Sequence, residues 1–124
     1  MQTAAESFQI ALNHRERVLA SWDDPTDWAI LATFGFYCLE ACVAAVALHL
    51  GLPRPRTHPQ KAQDARQFAS EHGLPDIGDL LFDLNEMRKH EAYGDIDPPE
   101  NLDPQDVAAE IDEYVEAVNR FLTQ

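Results

Sequence analysis

"WAILATFGFYCLEACVAAVALHL", residues Trp28 to Leu50, is the stretch on which the fold turns. It is long and apolar enough to cross a bilayer. Against a span stand Glu40 near its middle, His49 near its end and a run of alanines. A carboxylate at the bilayer centre costs about 3 kcal/mol on insertion scales. Its large apolar residues, among them Ile30, Phe34, Phe36, Tyr37, Leu39 and Val43, point in every direction around a helix. Such a helix must be covered on all sides. The stretch therefore reads as the central helix of a soluble bundle, with no membrane contact.

Outward from it, breaks are written in capping chemistry. Helix one is expected over Ala4–Ala20, its apolar stripe carried by Phe8, Ala11, Leu12, Val18 and Leu19, with Arg15 on the same line. "SWDDPTDW" stops it, and Asp24 with Pro25 is an N-cap and first helical position for helix two. Gly51 ends helix two, with Pro53 just beyond. "LPRPRTHPQ" (52–60) is a proline-rich loop, and Thr57 with Gln60 resembles a capping box opening helix three, His58 to His72. Helix three is polar apart from Ala62, Ala65, Phe68 and Ala69, so it belongs on the surface. Gly73 closes it, and Pro75 and Asp76 open helix four, whose apolar positions are Ile77, Leu80, Leu81, Leu84 and Met87. "YGDIDPPENLDP" (93–104) reads as loop. Asp103 and Pro104 then cap helix five, with Val107, Ile111, Tyr114, Val115, Val118, Phe121 and Leu122 as its apolar face. No repeat and no alternating strand interrupts this series. The expectation is an all-α, mostly up-down bundle of five helices, one domain over residues 1–124.

The chain is strongly acidic, with 22 Asp and Glu against 9 Lys and Arg and a net charge of −13. Most of such a surface repels a nucleic-acid backbone, so any phosphate contact needs a local basic patch. The basic residues fall in four places: Arg15/Arg17, Arg54/Arg56/Lys61/Arg66, Arg88/Lys89 and Arg120. Cys38 and Cys42, four apart on one helix, are too awkwardly placed for a disulfide and read as reduced core residues. With no basic-then-apolar leader at the N-terminus, the expectation is a cytoplasmic protein. The apolar surplus of helix two leads to a further expectation, a symmetric homodimer.

The polar stretch "MRKHEAYGD" (87–95) carries the candidate site. At about 100° per residue, Arg88 continues the stripe of Ile77, Leu80, Leu81 and Leu84, so its guanidinium must be paired or must face a cleft. Glu40, the acidic residue deep in the apolar helix, is the expected partner, since a carboxylate suits the bidentate fork of arginine. The alternative is a cleft in which Arg88 meets a phosphate. Phe82, Glu86, Lys89 and Tyr93 form a second line on the same helix. His90 leaves a continuous helix about 200° from Arg88, so the two converge only if the helix ends near His90 or a second subunit supplies one of them. The five histidines show no metal-ligand spacing, and "GDIDPPENLDPQD" lacks the glycine and terminal glutamate of a calcium loop. Neither a metal nor a cofactor is expected.

Taken together, "WAILATFGFYCLEACVAAVALHLG", the "RTH" of the following loop, "LLFDLNEMRKHEAYGD" and the last amphipathic helix resemble the HEPN domains over about residues 10–122. These are small helical-bundle proteins of prokaryotic toxin–antitoxin and defence systems. Many carry an arginine followed after four to six residues by a histidine, and cleave RNA across a dimer interface. The resemblance gives Arg88 the family arginine's place, but Tyr93 stands where the shortest spacing puts histidine, and His90 comes early. It implies Arg88, His90 and Tyr93 as catalytic candidates, with Glu40, Lys89 and His58 in support. A tyrosine of pKa about 10 is a poor base at neutral pH. The function expected first is therefore a dimeric interaction module binding RNA, a nucleotide or a protein partner such as an antitoxin. An RNase toxin using Arg88 at a dimer cleft and a purely structural subunit are the alternatives.

Overall fold

The computed structural model describes residues 2–20, 28–92 and 103–124, the side chains of 90–92 excepted. Five helices follow one another: α1 (Ala4–Ala20), α2 (Trp28–His49), α3 (His58–His72), α4 (Gly78–Ala92) and α5 (Pro104–Leu122). The described residues contain no strand, and the chain is an all-α bundle. The expected Asp24–Pro25 cap and most of the 93–104 loop lie outside the described residues.

Helix α2 is the axle of the bundle. It touches each of the other four helices, while α1 meets α5 and α3 meets α4 around it. Leu31, Phe36, Leu39, Cys42, Val43 and Val46 of α2 are buried, and among its apolar residues Ile30 alone reaches the exposed class. This is why the helix passes a length-and-apolarity test for a membrane span while 67% of the tested window lies inside the fold. Most of the surplus that motivated a dimer is thus absorbed within the chain. Gly35 permits one close approach: a Cβ there would lie 2.7 Å from Ile111 Cδ1, so the absence of a side chain lets α5 settle onto α2.

The helix ends follow the capping residues with two departures. Thr57 accepts from Gln60 N at 3.2 Å, Asp103 from Gln105 N at 2.8 Å, and Gly51 and Gly73 take left-handed φ values of 76° and 71°. The Thr57 box is half-made, because the Gln60 side chain reaches Asp64 instead. Helix α4 begins at Gly78, later than Pro75 and Asp76 implied, and Asp76 accepts from Gly78 N at 2.9 Å ahead of it. A reciprocal box that the sequence reading passed over starts α1, where Thr3 and Glu6 each cap the other's N–H at 3.1 Å.

The cysteines are free and buried as expected. Burial, with the hydrogen bond its S–H donates to Cys38, pushes the Cys42 thiol well up and keeps it protonated. Burial likewise holds the Tyr114 phenol far above its ordinary range, with Cys42 and Asp76 adding to it. That hydroxyl is buried without a hydrogen-bond partner among the described residues. Replacing Tyr114 by Phe deletes a donor whose desolvation is uncompensated, so stability should stay level or rise by about 1 kcal/mol in denaturant titration. A loss above about 2 kcal/mol would mean that the hydroxyl has a partner.

Candidate functional site

Helix α4, with Ile77 just before it, lays the predicted stripe on the core: Ile77, Leu80, Leu81 and Leu84 are buried, and Arg88 follows them half-buried. The guanidinium does not reach Glu40. Its Nη2 donates to Asn85 Oδ1 at 2.8 Å, and its carbon lies 5.2 Å from the Phe36 ring centre and 5.7 Å from that of Tyr37. Cation–π contact therefore replaces the expected ion pair. The reason is register: Glu40 lies one turn beyond Phe36 on α2, and Arg88 comes down at the earlier turn. No carboxylate of a described residue pairs with Arg88, and its Nε is buried without a partner among them.

Glu40 is held instead by the start of α3. It is 5% exposed, and both its oxygens are engaged: Oε2 with His58 Nδ1 at 2.6 Å, Oε1 with Lys61 Nζ at 3.4 Å. His58 opens α3 and Lys61 follows one turn on, so both face α2 from the helix end whose dipole also favours an anion. A carboxylate inside an apolar helix needs such partners, because unpaired it would not remain charged. The His58 ring also meets Phe36 edge-on at 5.1 Å. Phe36 thus has His58 at one flank and Arg88 at another.

Over Phe36, α3 and α4 leave an open cleft of about 470 Å³. His58, Pro59, Ala62, Gln63 and Arg66 line it from α3, and Leu81, Phe82, Asn85, Glu86 and Lys89 from α4. The predicted line of Phe82, Glu86 and Lys89 is therefore one wall of this cleft. Phe82 is 63% exposed at its rim. Arg66 lies across Gly78, near Asp79 at 3.6 Å, and Lys89 is 3.4 Å from Glu86. These are exposed pairs of small strength, readily exchanged for a stronger anion.

Of the three catalytic candidates, the structure describes the side chain of Arg88 alone. Tyr93 and the side chain of His90 lie outside the described residues. Helix α4 continues past His90 to Ala92. Of the supporting residues, His58 and Glu40 meet, and His58 and Lys89 line the same cleft. No family model matches the chain, and no curated protein or solved structure matches it. What the site does is therefore argued from its own geometry.

Sequence reasoning missed Lys61, Arg66, Asn85 and Phe36 as site residues. The signal for Lys61 was present: His58 and Lys61 lie three apart on one helix, directly after the loop leaving the helix that buries Glu40. A smaller cavity of about 170 Å³ is lined by Glu40 together with His14, Tyr37, Lys61 and Arg54. His14 stacks on Phe34 at 5.8 Å, and burial, then Arg17, lowers its pKa.

Proposed function

We propose that the chain is a HEPN-like interaction module that takes a phosphate-bearing ligand, a nucleotide or one nucleotide of an RNA strand, in the α3–α4 cleft. One observation carries this reading. In a chain of net charge −13, six of the nine basic residues, Arg54, Arg56, Lys61, Arg66, Arg88 and Lys89, lie on α3, its approach and the end of α4. Of these, Arg66 and Lys89 line the cleft from its two walls and make a local attractive field there, against a surface that is elsewhere mostly repulsive. The cleft volume lies within the range of small-ligand sites and suits a single nucleotide. Arg66 and Lys89 meet the phosphate, and the exposed Phe82 ring offers a stacking face to the base.

The resemblance to HEPN domains supports the same reading and places the module in a toxin–antitoxin or defence setting in the cytoplasm. A homodimer, and a protein partner of antitoxin type, belong with it. Ile10, Leu19, Ile30 and Leu52 are large apolar side chains left exposed for such contacts. In this reading the module binds, and the Arg88–His90–Tyr93 set carries no chemistry.

Binding of a nucleoside monophosphate and of a short RNA should weaken with added salt. It should weaken at least tenfold, about 1.4 kcal/mol, in the double variant Arg66→Ala/Lys89→Ala. Both residues are exposed or half-exposed, so the fold should be unaffected, as circular dichroism would verify. Equal affinity in the double variant would show that the cleft is not the site.

A further inference from the structure

The pair Glu40–His58 does more than fasten α3. A carboxylate accepts, so against Glu40 the His58 Nδ1, at 2.6 Å, takes the donor's part. In that tautomer Nε2 is the acceptor nitrogen of the neutral imidazole. The ring is held by the carboxylate on one side and by the edge contact to Phe36 on another, yet its side chain stays 45% exposed where it lines the cleft. An imidazole fixed in tautomer and orientation by a buried carboxylate, on a residue that lines a cleft, is the arrangement of a general base. Among the described residues that line this cleft there is no serine, threonine, cysteine or tyrosine. Any nucleophile in it is therefore a hydroxyl brought by the ligand or a water.

We propose that the cleft is an acid–base site for phosphoester cleavage in which His58 is the catalytic residue and Glu40 its positioning residue. The proposal rests on the reading that the cleft takes a phosphate-bearing ligand. His58 Nε2 removes the proton from the attacking hydroxyl, whose oxygen bonds to phosphorus as the opposite ester bond breaks. The departing oxygen takes up a proton from water, and the imidazolium returns its proton to solvent, so charge and atoms balance with no further reactant. Arg66 and Lys89 offset the charge that develops on the phosphoryl oxygens.

Three probes test this with the full chain. Bis(p-nitrophenyl) phosphate can be cleaved only by water, a ribonucleoside 3′-phosphodiester also by its own 2′-hydroxyl, and its 2′-deoxy counterpart serves as control. The expected result is turnover of at least one of them, with the deoxy control separating the two nucleophiles. His58→Gln, which keeps a donor for Glu40, should lose at least 100-fold in kcat while keeping the helical fold, as circular dichroism would verify. Glu40→Gln should lower kcat with KM little changed and shift the pH profile of kcat, which a merely structural role would not do. Equal rates in wild type and His58→Gln overturn the proposal. Nucleotide binding without turnover of any probe overturns it and leaves the binding reading standing, whereas neither binding nor turnover overturns both.

Discussion

Phe36→Ala is expected to cost about 3–5 kcal/mol of stability, the range for truncating a buried aromatic side chain. The ring is 2% exposed, sits on the central helix, and has Tyr37, His58 and Arg88 around it at 5.1–5.9 Å. Its removal opens a cavity under the cleft and takes away the surface against which His58 and Arg88 are held. For a domain of this size the melting temperature should fall by roughly 10–20 °C. Ligand affinity should fall as well, because both flanking side chains lose their fixed positions. Phe36→Leu separates the two effects: it restores most of the volume, should cost about 1 kcal/mol, and should recover stability more fully than affinity. A Phe36→Ala variant melting within about 3 °C of wild type would show that the ring is not the platform described.

The second large effect is at Glu40. Removing one partner of a buried ion pair costs about 3–5 kcal/mol. His58 can return to water, since nearly half its side chain already faces it, so Glu40→Ala should fall just below that range, at about 2–3 kcal/mol. The damage should be local. Hydrogen exchange should show the first turn of α3 opening, with the amides of α1 and α5 little changed. A double-mutant cycle then distinguishes the observed pairing from the one the sequence favoured. Glu40 and Lys61 should couple by at least 0.5 kcal/mol, while Glu40 and Arg88 should be additive within about 0.3 kcal/mol. Strong coupling between Glu40 and Arg88 would restore the original expectation.

That original expectation shows where sequence reasoning reached and where it stopped. Periodicity and capping residues placed all five helices, because Gly51, Thr57, Gly73, Asp103 and Pro104 act through local backbone chemistry that needs no tertiary partner. The same local reasoning put Arg88 on the core-facing stripe and Phe82, Glu86 and Lys89 on one line. It also required Glu40, inside an apolar helix, to find a cation. Which cation it finds is a question of how far along α2 each neighbouring helix makes contact, and that offset is not written in any single helix. Phe36 and Glu40 are one turn apart, and this one turn assigns Arg88 to a ring and leaves the carboxylate to His58 and Lys61. The cleft was out of reach for the same reason: its walls come from α3 and α4, its floor from α2.

The most direct test of the account is to map nucleotide binding by amide chemical-shift changes on the full chain. Shifts are expected to concentrate at Ala62, Arg66, Phe82, Asn85 and Lys89, on the two walls of the α3–α4 cleft, and to be absent from the Arg66→Ala/Lys89→Ala variant. Shifts confined to Arg54, Arg56 and Thr57, which line a separate groove at the approach to α3, would contradict it, as would no shifts at millimolar nucleotide.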